Sequence, residues 1–171
     1  MKKYVFRYGR LIILLILSLL VGNLKGSVDG FSVFFGAGML LSAFFTLIYV
    51  FMNFDKDLNE KLLMEMIVDG FSGLVLFTYP QSDTQFFVVV FSFWIAFQGV
   101  LMLSAGLFDK SRVESFWFYV LSGIAFIVFG FSILHVTIEN QGILNYLMAF
   151  VLIIYAASHC RFLCFKKEEI Y

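Results

Sequence analysis

The sequence is poor in charge and almost without proline. Asp, Glu, Lys and Arg make up 14 % of its 171 residues, against about 25 % in an ordinary soluble domain. One proline and thirteen glycines leave neither disorder nor a collagen-like repeat as an option. No phosphate-binding glycine loop, no His-Glu-x-x-His and no nucleophile elbow occurs in the chain, so nucleotide, zinc-protease and hydrolase chemistries of those types have no foothold. Gly36 and Gly38 lie inside an apolar run, where helix packing accounts for them. No catalytic constellation is present, so an enzyme is not expected, and neither is a cofactor.

Apolar residues are abundant. They account for 61 % of the chain, and 24 of them are phenylalanine; mean hydropathy is +0.94. A soluble core of this size would leave large apolar patches exposed, so the expected surroundings are a lipid bilayer. A crossing helix needs roughly 20 mainly apolar residues. Gly30–Phe54, Thr84–Phe108, Ser115–Ile138 and Asn140–Cys160 carry no Asp, Glu, Lys or Arg, and Leu11–Leu24 is a shorter run of the same kind. Leu62–Tyr79 is interrupted only by Glu65 and Asp69. These runs predict six spans, about 6–23, 31–53, 62–79, 85–108, 115–137 and 142–163. The fold class is all-α integral membrane, one domain over residues 1–171. A β-barrel is excluded because the runs do not alternate apolar and polar residues. Lys2, Lys3, Arg7 and Arg10 precede the first run as in a secretory signal, but residues 21–25 lack a small-x-small cleavage pattern, so an uncleaved first helix is expected.

The net charge is zero, but its distribution is asymmetric. Alternating the segments puts Lys2, Lys3, Arg7, Arg10, Lys56, Lys61, Lys110, Arg112, Arg161, Lys166 and Lys167 on one side and only Lys25 on the other. Basic residues stay cytoplasmic, so both termini are expected inside, and the outer loops Gly22–Gly30, Pro80–Thr84 and Ile138–Gln141 are short. Tyr4, Tyr8, Tyr79, Trp117, Tyr119 and Tyr171 fall near span ends, as an aromatic belt requires. Trp94 reads as packing or lipid-facing surface.

Three helical hairpins suggest a triplication with a 57-residue period. That offset superimposes Gly9, Met66 and Gly123; Ile16, Gly73 and Gly130; Asn23, Pro80 and Thr137; and Ser42, Gly99 and Ala156. Small residues at matching depths let helices approach closely in lipid, so Gly9, Gly73, Gly99, Gly123 and Gly130 are the expected packing positions. Gly73, Pro80 and Gly99 in Met66–Gly106, and Gly123 and Gly130 in Gly123–Ser158 with Thr137 in place of proline, resemble the HdeD-like family. The resemblance implies a six-helix protein of the bacterial inner membrane with a stress or acid-resistance role, and it brings no catalytic motif.

Glu65 and Asp69 are the leading functional candidates, since ionisable groups inside a span are expensive. Four residues apart, they share a helix face. At about 1.5 Å per residue, Asp69 and Gln98 reach similar depths, and Arg10 enters from the same side. An intramembrane polar cluster of Arg10, Glu65, Asp69 and Gln98 is therefore expected, either as a structural ion pair or as a proton site. His159, Cys160 and Cys164 lack a fourth ligand for zinc, so no metal is expected. The lipid bilayer is the expected partner, with self-association or a membrane complex as further expectations and no nucleic acid. The two functions to be distinguished are a stress-related accessory protein and a small proton-coupled transporter or channel.

Overall fold

The computed structural model describes residues 2–24, 29–52, 60–79, 84–108, 116–135 and 141–165, with side chains from Tyr8 to His159 within those stretches except at a few helix ends. They form six α-helices: α1 (Lys2–Gly22), α2 (Asp29–Met52), α3 (Glu60–Thr78), α4 (Thr84–Phe108), α5 (Phe116–His135) and α6 (Gln141–Phe165). No strand occurs among the described residues. Each helix corresponds to one expected span and differs from it by a few residues at most ends. The lone proline, the connecting loops, the sulfur atoms of Cys160 and Cys164 and the tail from Lys166 lie outside the described residues.

Among the described residues, four helices contain segments long and apolar enough to cross a membrane: Gly30–Met52, Thr84–Leu107, Phe116–His135 and Gly142–His159. The apolar part of α1, Tyr8–Gly22, is shorter, and α3 carries Glu60, Lys61, Glu65 and Asp69. Both nevertheless expose large apolar side chains and bury ionisable ones. α3 exposes Met64, Ile67, Phe71, Leu74 and Phe77 and buries Glu65, Asp69, Ser72, Gly73 and Leu76. α1 exposes Ile12, Ile16 and Leu19 and buries Arg10, Leu14, Leu17, Ser18 and Val21. α3 is thus a water-soluble helix turned inside out, whereas α1 is apolar on both faces apart from Arg10 and Ser18.

The helices close into a ring. The most extensive interfaces are α4 with α5, α2 with α3, and α1 with α6, so the first and last helices seal the bundle. α2, α4 and α6 supply most of the core. Phe31 and Phe35 of α2 meet Phe87, Phe91 and Trp94 of α4, and Trp94 meets Tyr155 of α6 edge-on with centroids 5.4 Å apart.

Burial repeats around this ring. Shifted by 57 residues, the buried residues of α6 fall on buried residues of α4, from Leu144 on Phe87 to His159 on Met102. Those of α2 fall on α4 at a shift of 56, from Phe31 on Phe87 to Val50 on Gly106. Those of α1 fall on α3 at 55, with Arg10 on Glu65, Leu14 on Asp69, Leu17 on Ser72, Ser18 on Gly73 and Val21 on Leu76. A 57-residue shift thus describes burial between α4 and α6; between α3 and α5 it brings Asp69, Gly73 and Leu76 onto buried Phe126, Gly130 and Ile133 but Glu65 and Ser72 onto half-buried Ser122 and Phe129, and the first hairpin is offset by one or two residues. Ser18, not Ile16, takes the place of Gly73 and Gly130.

Close approaches follow the same scheme. A Cβ on Gly73 would stand 2.9 Å from the Gly36 carbonyl oxygen and the Leu40 amide nitrogen, and a Cβ on Gly130 would stand 2.8 Å from the Ser92 carbonyl oxygen and the Ala96 Cβ. Gly36 and Leu40 lie 56 residues before Ser92 and Ala96. Between α4 and α5, Gly99 and Gly123 face each other, and a Cβ on either would lie within 2.8 Å of the other's carbonyl oxygen. Gly9 lies against the Phe45 ring, 3.0 Å from where its Cβ would be.

Candidate functional site

Arg10, Glu65, Asp69 and Gln98 meet in the interior. None is more than 2 % exposed. Helix geometry sets their common depth. Ser42, Gln98 and Tyr155, equivalent under the burial register, each stand ten residues before the last residue of α2, α4 and α6, about 15 Å along the axis at 1.5 Å per residue. Arg10 and the two carboxylates enter at that level from α1 and α3, which run the opposite way.

Asp69 is the hub. Its Oδ1 accepts hydrogen bonds from Trp94 Nε1 at 2.9 Å, Gln98 Nε2 at 3.1 Å and Arg10 Nη2 at 3.3 Å. Its Oδ2 accepts one from Ser42 Oγ at 2.7 Å and lies 3.1 Å from Arg10 Nε. The Arg10 guanidinium also donates from Nη1 to Glu65 Oε2 and from Nη2 to the Tyr155 hydroxyl at 2.9 Å. Tyr155 in turn donates to Gln98 Oε1 at 2.9 Å, which fixes the Gln98 amide with its nitrogen towards Asp69. The Tyr155 ring flanks the guanidinium, 5.5 Å from centroid to Cζ, within cation–π range. Lys61 holds the other Glu65 oxygen at 3.0 Å and lies over the Tyr119 ring. Two carboxylates and two cations balance in charge, so the cluster is buried with its ions paired.

Sequence reasoning missed Ser42, Trp94 and Tyr155 as members of this network. They are neutral, and single hydroxyl or aromatic residues are ordinary in membrane helices. The available signal was register: offsets of 56 and 57 align Ser42, Gln98 and Tyr155, whereas a uniform 57 pairs Ser42 with Gly99. His159 is buried one turn beyond Tyr155, with ring centroids 6.3 Å apart. Among the described residues no three His, Cys, Asp or Glu side chains are grouped to hold a metal ion. An apolar groove of about 420 Å³ opens outward between α3 and α4, lined by residues such as Phe71, Val75, Val90, Phe93 and Phe97. The Trp94 ring forms part of its wall, and its indole N–H points to Asp69.

Residues 67–135, which run from α3 through α4 and α5, match the family described as a short repeat of unknown function, DUF308. That family includes HdeD-like membrane proteins. No curated protein and no solved structure matches the chain.

Proposed function

We propose that the chain is a non-enzymatic, multi-pass protein of the bacterial inner membrane. Six helices cross the bilayer as three repeats of one hairpin, both termini are cytoplasmic, and the role is the stress or acid-resistance role suggested by its likeness to HdeD-like proteins. The observation that carries this reading is the inverted surface of α3: Glu65 and Asp69 point into an ion-paired interior and its large apolar side chains point out. In lipid that arrangement satisfies every part of the helix, because an unpaired charge facing hydrocarbon is costly. The repeat of burial and of glycine crossings supports the triplication. The apolar exterior suits lipid as the principal partner, together with self-association or a membrane complex.

A second reading, a proton-coupled transporter or channel using Glu65 and Asp69, draws on one observation. The polar network reaches α1, α2, α3, α4 and α6 at a single depth, where transporters place their sites. Ion pairing favours the first reading, since both carboxylates are already matched by cations.

Reporter fusions after each helix test the topology. The six-span reading expects alternating sides, with residues 56 and 111 cytoplasmic and residues 25, 82 and 138 outside; α3 with both ends on one side would overturn it. A deletion strain assayed for acid survival and cytoplasmic pH tests the role, and unchanged survival would remove the acid-resistance component. Proton flux in vesicles that is abolished by Asp69→Asn would select the transporter.

A further inference from the structure

The interior network has the form of a receptor with its ligand in place. Arg10 is the one member of the cluster contributed by α1, and its head group is a guanidinium held on several sides. Glu65 accepts from Nη1, Asp69 takes Nη2 and Nε, and the Tyr155 hydroxyl accepts from Nη2 while its ring flanks the plane. Planar fork recognition of this kind is what distinguishes a guanidinium from an ammonium. The chamber has contacts of its own besides those to Arg10. Asp69 is held independently by Ser42, Trp94 and Gln98, from α2 and α4, and Gln98 is oriented by Tyr155 of α6. With Arg10 gone, the anion would still be aimed at the same point and the aromatic face would still stand beside it. The remaining charges there, Glu65 and Asp69 against Lys61, would call for one cation.

We propose that the chamber formed by Ser42, Glu65, Asp69, Trp94, Gln98 and Tyr155 is a guanidinium-binding site, which the chain fills with its own Arg10. The ligand class is a monovalent guanidinium-type cation, and α1 is its tethered occupant. A free guanidinium ion binds when the Arg10 side chain is removed and is excluded while it is present. This inference concerns the interior site alone and stands whether or not the protein has a role in acid resistance.

The test is chemical rescue of the full-length protein in detergent or nanodiscs. The thermal stability of Arg10→Ala is followed with guanidinium chloride at low millimolar concentration, far below denaturing levels. Sodium, methylammonium and urea at equal concentrations serve as controls; urea has the same planar outline without the charge. Binding to the folded state alone raises the folded-to-unfolded ratio about elevenfold at ten times the dissociation constant. Guanidinium should therefore stabilise Arg10→Ala with a dependence on log concentration, the three controls should not, and wild type should not respond. Adding Asp69→Asn should abolish the response. Should Arg10→Ala not fold, adding Glu65→Gln and Lys61→Gln to it removes the Glu65–Lys61 pair together, leaves Asp69 as a single buried anion for the ion to meet, and should still respond to guanidinium, more weakly for want of the Glu65 contact. A fold recovered only with guanidinium supports the proposal. Stabilisation by sodium, methylammonium or urea equal to that by guanidinium overturns it. So does folded protein without a response, or both variants unfolded with and without the ion.

Discussion

Replacing Asp69 by alanine should be the most damaging single change in the bundle. Asp69 supplies both oxygens that face Arg10 from Nη2 and Nε, at 3.3 and 3.1 Å, and accepts from Ser42, Trp94 and Gln98. Without it, Arg10 shares Glu65 with Lys61, and one positive charge is left over in the interior. Removing one partner of a buried ion pair costs about 3–5 kcal/mol. The three neutral donors left over add less, since interhelical hydrogen bonds in a membrane protein average ~0.6 kcal/mol. A loss near ~5 kcal/mol lowers the folded-to-unfolded ratio by more than a thousandfold at about 1.4 kcal/mol per decade. The double variant Arg10→Leu with Asp69→Leu removes the unpaired charge and leaves Glu65 with Lys61, so it should lie closer to wild type than Asp69→Ala does. SDS-induced unfolding in mixed micelles, followed by the fluorescence of the buried Trp94, would measure all three. Asp69→Ala within ~1 kcal/mol of wild type, or a double variant no better than the two singles added together, would refute the assignment of the cluster as a clasp between helices.

Further predictions concern packing. Gly123→Val should destabilise the protein by at least the 1–3 kcal/mol typical of overpacking, because even a Cβ there would stand 2.8 Å from the Gly99 carbonyl oxygen and the Leu103 amide nitrogen; Gly142→Ala, with nothing within 4 Å, should be neutral or slightly stabilising in the same unfolding assay. Ser18→Leu should destabilise more than Ile16→Ser, because Ser18 is 2 % exposed and Ile16 is 51 % exposed; the reverse order would return α1 to the uniform 57-residue register. Lys61→Ala should destabilise less than Asp69→Ala, by about 1.5–3 kcal/mol, since the lysine is the least buried ion of the cluster and Arg10 still holds Glu65.

Much of this architecture is legible in the sequence because lipid imposes simple rules. Charge-free runs of helix length, such as Thr84–Phe108, can hardly be anything but helices, and α4 occupies that range. Glu65 and Asp69 are legible because charge within an otherwise apolar helix demands a partner, and Arg10 is the basic residue at the same depth. Ser42, Trp94 and Tyr155 were not legible, since neutral residues announce no such demand and their role depends on which way each helix faces. Rotation is weakly encoded when a helix is apolar all round, as α2, α4 and α6 nearly are. The one- and two-residue offsets of the first hairpin were hidden for a related reason. Small residues are common enough in membrane helices that Gly9 and Ser42 fitted a uniform period, and only burial places Ser18 at the crossing. Ring closure between α1 and α6 joins the two ends of the chain and leaves no local trace.

That closure is the claim on which the site depends, because it brings Arg10 and Tyr155 together. A Cβ built on Gly22 stands 3.4 Å from that of Ala149, close to the spacing of about 3.8 Å found across a disulfide. Gly22→Cys with Ala149→Cys, in a background where Cys160 and Cys164 are serine, should crosslink rapidly within one chain in native membranes under mild oxidation. Absence of that crosslink, or its formation only between chains, would contradict the closed ring.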